Sequence, residues 1–141
     1  MKPPYTSKDV MKVGEFSKGK FDQWLQRGIA RPSSPCRGRG HAAKWDTASV
    51  VALVLTKRLG DAGIALPKAA DLAQGIIGFL TYAEAPTIDE NHEVLMLAVN
   101  IRTLEWCELS IMEKKLNGDI MLVVNLADLA LTTIDRLEEL P

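Results

Sequence analysis

Long side chains with hydrogen-bond donors recur within the stretch SKGKFDQWLQRGIARP at residues 17–32, and they include Lys18, Lys20, Gln23, Gln26 and Arg27. Lys, Arg and Gln can hydrogen-bond to base edges in the major groove of DNA and to backbone phosphates. Their spacing predicts a helix that presents these donors to double-stranded DNA. Taken alone, these residues favour an ordinary surface helix with a solvated polar face, and it is the flanking sequence that favours DNA binding.

The same stretch contains the signals that would build such a helix. Phe21, Trp24 and Leu25 recur at the i, i+3, i+4 spacing of one apolar helix face, which would be buried behind the donors. Ser17 can cap the amino end, because its hydroxyl can accept from an unpaired backbone amide. Gly28 marks the other end, where a residue with positive φ is usually needed.

A basic loop, residues 33–44 (SSPCRGRGHAAK), follows this helix. It carries Arg37, Arg39, His41 and Lys44, and the glycines between them let the backbone approach a partner closely. This pattern is typical of a wing that lies along the phosphate backbone or in the minor groove of DNA. A flexible, solvated loop is the alternative.

A first short helix is predicted just before the donor-rich one. Thr6 and Asp9 are spaced as a variant capping box, Val10 and Val13 lie on one apolar side, and Gly14 ends the helix. Two short helices joined by a tight turn that contains glycine make a helix-turn-helix.

Two longer helices are predicted after the basic loop. Trp45 anchors the loop to the core, and Asp46 caps a third helix that ends at residues 59–63. Pro67 opens a fourth helix, because proline is tolerated in the first helical turn, and this helix runs to about residue 81.

The net charge of −1 conceals an uneven distribution. Residues 1–70 contain 13 Lys and Arg against 5 Asp and Glu, a difference of +8. Residues 71–141 contain 4 against 13, a difference of −9. The basic amino-terminal half indicates a polyanionic partner, and pairing between the two halves is the alternative.

The order and spacing of these features over residues 5–73 resemble the DNA-binding domain of the MerR-type transcription regulators. The resemblance implies a winged helix-turn-helix at residues 1–81, whose second helix enters the major groove while the basic loop grips the backbone. The shared features are Tyr5-Thr6, Gly14, Phe21, Trp24, residues 28–32 (GIARP), Trp45-Asp46 and residues 59–66 (LGDAGIAL).

Two features differ from that family. Asp22 stands where members usually have an arginine that touches DNA, and a carboxylate there would face phosphates unfavourably. Members also continue from the fourth helix into a long dimerising helix. Here residues 82–93 (YAEAPTIDENHE) are acidic, contain proline and have no helical period, so they are predicted to be a linker.

Residues 94–141 have the pattern of strands followed by a helix. Two strands are predicted at residues 94–101 and 103–112, and Asn117-Gly118 predicts a hairpin turn into a third strand. Residues 125–140 are predicted to form a helix with one apolar face. A unit this small rarely buries enough surface alone, so we expect a small α+β unit of antiparallel strands and a carboxy-terminal helix that pairs with a second copy.

No pattern in the sequence indicates catalysis or a cofactor. His41 and His92 are far apart, and there is no phosphate-binding glycine loop or nucleophile elbow. Cys36 and Cys107 form neither a disulfide framework nor a metal-ligand spacing. The polar amino terminus and the lack of a long apolar run lead us to expect a cytoplasmic protein. The lack of a catalytic pattern leads us to expect that it is not an enzyme.

Taken together, these patterns predict an α+β protein that regulates transcription by binding double-stranded DNA as a homodimer, without a cofactor and without a membrane. A phage-type excisionase or small terminase subunit is one alternative, since these use a similar module. The other is a protein-interaction adaptor whose winged-helix fold no longer binds DNA. The expected DNA-binding residues are Ser17, Lys18, Lys20, Gln23, Arg27, Arg37, Arg39, His41 and Lys44.

Overall fold

The structure, a computed structural model, describes residues 2–38, 40–82, 96–108 and 121–141. Over these ranges it is a mixed α+β protein with two small antiparallel sheets, which confirms the α+β class expected from the sequence. The elements in chain order are β1 (Tyr5–Thr6), α1 (Ser7–Val13), α2 (Lys18–Gln26), β2 (Lys44–Trp45), α3 (Thr47–Asp61), α4 (Leu66–Tyr82), β3 (Met96–Asn100), β4 (Trp106–Glu108), β5 (Met121–Asn125) and α5 (Leu126–Glu138).

Polar side chains determine where the helices begin. The Thr6 hydroxyl accepts from the Asp9 amide, and the Asp9 carboxylate accepts from the Thr6 amide, which is the capping box predicted for α1. Asp46 accepts from the Ser49 amide at 2.8 Å and starts α3, as predicted. Asn125 caps α5 in the same way.

The first sheet joins the amino terminus to the end of the basic loop. Tyr5 of β1 pairs with Trp45 of β2, and Trp45 is fully buried, as expected of an anchor. Its indole N–H donates to the Ser7 hydroxyl at 3.3 Å. A further bridge between Ser34 and Lys44 brings the two ends of the loop together.

The second sheet has the strand order β4-β3-β5. The strand predicted at residues 103–112 begins at Trp106, because a turn after Asn100 occupies the residues before it. The Asn100 side-chain oxygen accepts from the amides of Arg102 and Thr103, and Leu104 adopts a left-handed conformation with φ of 63°. Only from Trp106 onward does the chain pair with β3.

A predicted linker and a predicted turn fall on residues that the structure does not describe. The acidic linker at 82–93 lies outside the described residues except for Tyr82, which ends α4. The hairpin turn at Asn117-Gly118 also lies outside them. The third predicted strand is present as β5, and its described partner is β3.

Helix α5 takes part in both hydrophobic cores. In one core it packs with α3, α4 and the second sheet, through residues that include Leu126 and Leu129. In the other core, Leu137 of α5 and Leu140, which follows the helix, pack with residues of α1, α2 and the first sheet. Both hydrophobic cores therefore draw residues from both sides of the predicted boundary between 1–81 and 94–141.

Replacement of Leu137 by alanine is expected to destabilise the whole protein. Leu137 is fully buried, so its truncation should lower the free energy of unfolding by about 2–5 kcal/mol. Leu131→Ala on the same helix is the matched control, since Leu131 is 41% exposed and should lose well under half as much. Chemical denaturation of both variants measures the difference. Equal losses would mean that α5 does not stabilise the amino-terminal core.

Candidate functional site

The donor-rich helix α2 is built as its sequence predicts. The Ser17 hydroxyl accepts from the Lys20 amide at 3.3 Å and caps its amino end. Phe21 and Trp24 are 1% and 4% exposed, so the apolar face is buried. Gly28, with φ of 70°, lets the chain turn back after the helix.

The opposite face of α2 is exposed along its length. At 100° per residue, Gly19, Asp22, Gln23 and Gln26 lie opposite the buried Phe21 and Trp24 pair. All four are exposed, and the space beyond Gly19 is open. This outer face therefore offers two amides and one carboxylate to a partner.

The three predicted cations of α2 lie around this face. Lys18 is exposed in the first turn, and Arg27 is exposed at the carboxy end. The Lys20 ammonium lies 5.2 Å from the centroid of the Trp24 ring and 5.9 Å from that of Phe16. Lys20 and Trp24 are i, i+4 neighbours on α2, so Lys20 lies on the flank of the helix, and the prediction that it lies at the front near Gln23 is wrong.

The basic loop surrounds a concave surface beside β2. Arg37, His41 and Lys44 are exposed and line a cavity of about 590 Å³. The Arg37 amide donates to the His41 carbonyl oxygen at 3.1 Å, and Gly38 supplies a positive φ of 83° to close the turn. Arg39 lies outside the described residues. The side chains gathered here suit a phosphate or another anion.

Cations from distant elements hold the turn between α1 and α2. The Lys57 ammonium of α3 donates to the carbonyl oxygens of Gly14 and Glu15, at 2.8 and 3.4 Å. Arg136 of α5 donates to the Val13 carbonyl oxygen at 3.2 Å. These contacts satisfy carbonyls that the end of α1 leaves unpaired. Sequence reasoning missed both cations, because their partners are 43 and 123 residues away.

Arg31 performs a similar role at the other end of α2. Its Nε donates to the Gly28 carbonyl oxygen at 2.8 Å, and its Nη2 lies 2.6 Å from the Asp71 carboxylate of α4. The end of α2 is thereby tied to α4. Sequence reasoning counted Arg31 only as part of a motif, and no local signal identifies Asp71 as its partner.

No family model matches the sequence, and a search of curated proteins finds no similar one. Among the described residues, no group of three or more His, Cys, Asp or Glu is arranged to hold a metal ion. None of the helices in the described ranges has the length and apolar character needed to cross a membrane.

Two glycine variants test how α2 is built. Gly28→Ala should lower the free energy of unfolding by about 1 kcal/mol, because a side chain disfavours the positive φ. Gly19→Ala should raise it by roughly 0.5–1 kcal/mol, since alanine is the better helix former and the space is open. Urea denaturation of the two variants measures both changes. If Gly28→Ala matched the wild type, the left-handed end of α2 would not be required.

Proposed function

We propose that this protein is a sequence-specific DNA-binding regulator of transcription that acts as a homodimer. In this proposal residues 1–81 form a winged helix-turn-helix like that of the MerR-type regulators. Helix α2 reads base edges in the major groove, and the basic loop is the wing. The protein acts in the cytoplasm, without a cofactor and without catalysis.

The observation that carries the proposal is the two-sided construction of α2. Its back is held in the core by Phe21 and Trp24, while Gln23 and Gln26 stand exposed on the front. A rigid helix with exposed amides suits the major groove, where glutamine can bond adenine through two contacts. The open space at Gly19 lets such a helix approach another surface closely.

The basic loop supplies the second part of the proposed interface. Arg37, His41 and Lys44 gather on one concave surface, and contacts of this type to phosphates position a protein without reading sequence. The excess of +8 in residues 1–70 agrees with a polyanionic partner. Lys18 and Arg27 lie at the two ends of α2 and add positive charge to the proposed interface.

The carboxy-terminal sheet supports the proposed homodimer. Leu97 and Val99 of β3 point into the core, so Ala98 and its register partners Cys107 and Val123 belong to the other face. In this row Ala98 is fully buried, Cys107 is half-buried and Val123 is 43% exposed, so Val123 is the member of the row that a second copy would cover. An apolar sheet face of this kind gains stability when a second copy covers it.

Asp22 is the observation that favours a second candidate function, a protein-interaction adaptor. It is exposed on the same face of α2 as Gln23, and a carboxylate there opposes the approach of phosphates. A partner protein with a basic surface would tolerate it. A gel shift with genomic fragments at two salt concentrations separates the two functions, because the regulator binds selected fragments and the adaptor binds none.

Two variants distinguish base reading from phosphate contact once a bound fragment is known. Gln23→Ala should cost roughly 1–3 kcal/mol on that fragment and little on random DNA. Arg37→Ala should weaken both equally and make the slope of log affinity against log salt shallower by about 0.9. Fluorescence anisotropy at several salt concentrations measures both effects. An unchanged ratio of specific to random affinity for Gln23→Ala would show that α2 is not the reader.

The dimer is tested at Val123, the exposed residue on the proposed contact face of the second sheet. Val123→Glu places a charge on the proposed contact and should convert the dimer into a monomer, as sedimentation at micromolar concentration would measure. Ala65→Glu is the control, because it adds the same charge at an exposed position between α3 and α4. A wild-type protein that is already monomeric contradicts the proposed homodimer directly.

A further inference from the structure

A polar cleft lies between α3, α5 and the turn that joins α1 to α2. Its volume is about 310 Å³, which is at the lower end of the about 300–1,000 Å³ typical of small-molecule sites. Cationic and acidic side chains line it together, and Val54 and Leu129 form an apolar part of its wall. It is separate from the outer face of α2 and from the basic loop.

Two of the cations in the cleft are already engaged. Lys57 donates to the carbonyl oxygens of the turn, and its ammonium lies 4.9 Å from the centroid of the Phe16 ring. Arg136 donates to the Val13 carbonyl oxygen and lies 3.7 Å from the Glu15 carboxylate. These contacts hold Lys57 and Arg136 in place where the cleft meets the turn between α1 and α2.

The charged groups at the other end have no such contacts. Within the described residues, neither the Arg58 guanidinium nor the carboxylates of Asp61 and Asp128 form a hydrogen bond or an ion pair. Arg58 and Asp61 are three residues apart and therefore neighbours on one face of α3. Asp128 approaches from the first turn of α5. Among the described residues that line the cleft, one cation and two carboxylates thus have no partner.

An apolar space adjoins these charges. Arg58, Asp128 and Leu129 also line a second cavity of about 230 Å³, which continues along β5 to Leu122 and Val124. Both of these β5 residues are half-buried and pack against the hydrophobic core. A ligand bound at these charged side chains would therefore have an adjoining apolar cavity for an apolar group.

We propose that this cleft binds a small zwitterion with an apolar side chain, of the α-amino acid class. The ligand carboxylate pairs with the Arg58 guanidinium, whose planar donors match two carboxylate oxygens. The ligand ammonium lies between Asp61 and Asp128, and the apolar side chain extends along Leu129 toward β5. The site is independent of the proposed DNA-binding function, since it shares no residue with that interface.

Isothermal titration calorimetry of the full chain tests the proposal with free L-leucine, L-valine, L-methionine and L-phenylalanine. At least one of these should bind, and its N-acetyl derivative and its amide should bind far more weakly, because each lacks one of the two charges. Failure of all four amino acids at millimolar concentration overturns the proposal. An amide or N-acetyl derivative that binds as tightly as the free amino acid also overturns it.

Variants locate the site. Arg58→Gln and Asp128→Asn should each weaken binding by about tenfold or more, because each removes one charge-assisted contact. Lys68→Gln, at an exposed position on α4, removes a charge away from the cleft and should bind as the wild type does. Circular dichroism checks that each variant is folded. Unchanged affinity in the folded Arg58→Gln and Asp128→Asn variants would exclude this cleft.

Discussion

Burial of four aromatic rings holds the amino-terminal half of this protein together. Phe16 lies edge-on to Trp24 at 5.1 Å and to Phe21 at 6.0 Å, and Phe21 lies 5.8 Å from Trp45. Each such pair contributes about 0.5–1.5 kcal/mol beyond the burial of its area. The rings belong to the turn, to α2 and to the end of the basic loop. Their packing therefore determines how α2 and the loop lie relative to each other.

The carboxy-terminal helix extends this dependence to the rest of the chain. Leu137 of α5 is buried with the aromatic rings, and Leu126 of the same helix is buried against α3 and the second sheet. Arg136 reaches from this helix to the Val13 carbonyl oxygen at the turn. Helix α5, which is distant in sequence, thus packs against the buried side of the candidate interface. It contributes none of the exposed donors of that interface.

The local features of the protein could be predicted from its sequence. Caps at Thr6, Ser17 and Asp46 start helices where side-chain oxygens can reach backbone amides a few residues on. The periodicity of Phe21 and Trp24 correctly predicts which face of α2 is buried. These features depend on contacts within a few residues, so neighbouring sequence was sufficient to identify them.

Contacts between distant residues were decided only by the tertiary structure. Lys57 and Arg31 find their partners on other elements, and periodicity carries no information about such pairing. Sequence by itself thus determined the helices and their buried faces. The tertiary structure decided which charges remain free, because that depends on which elements the hydrophobic cores bring together.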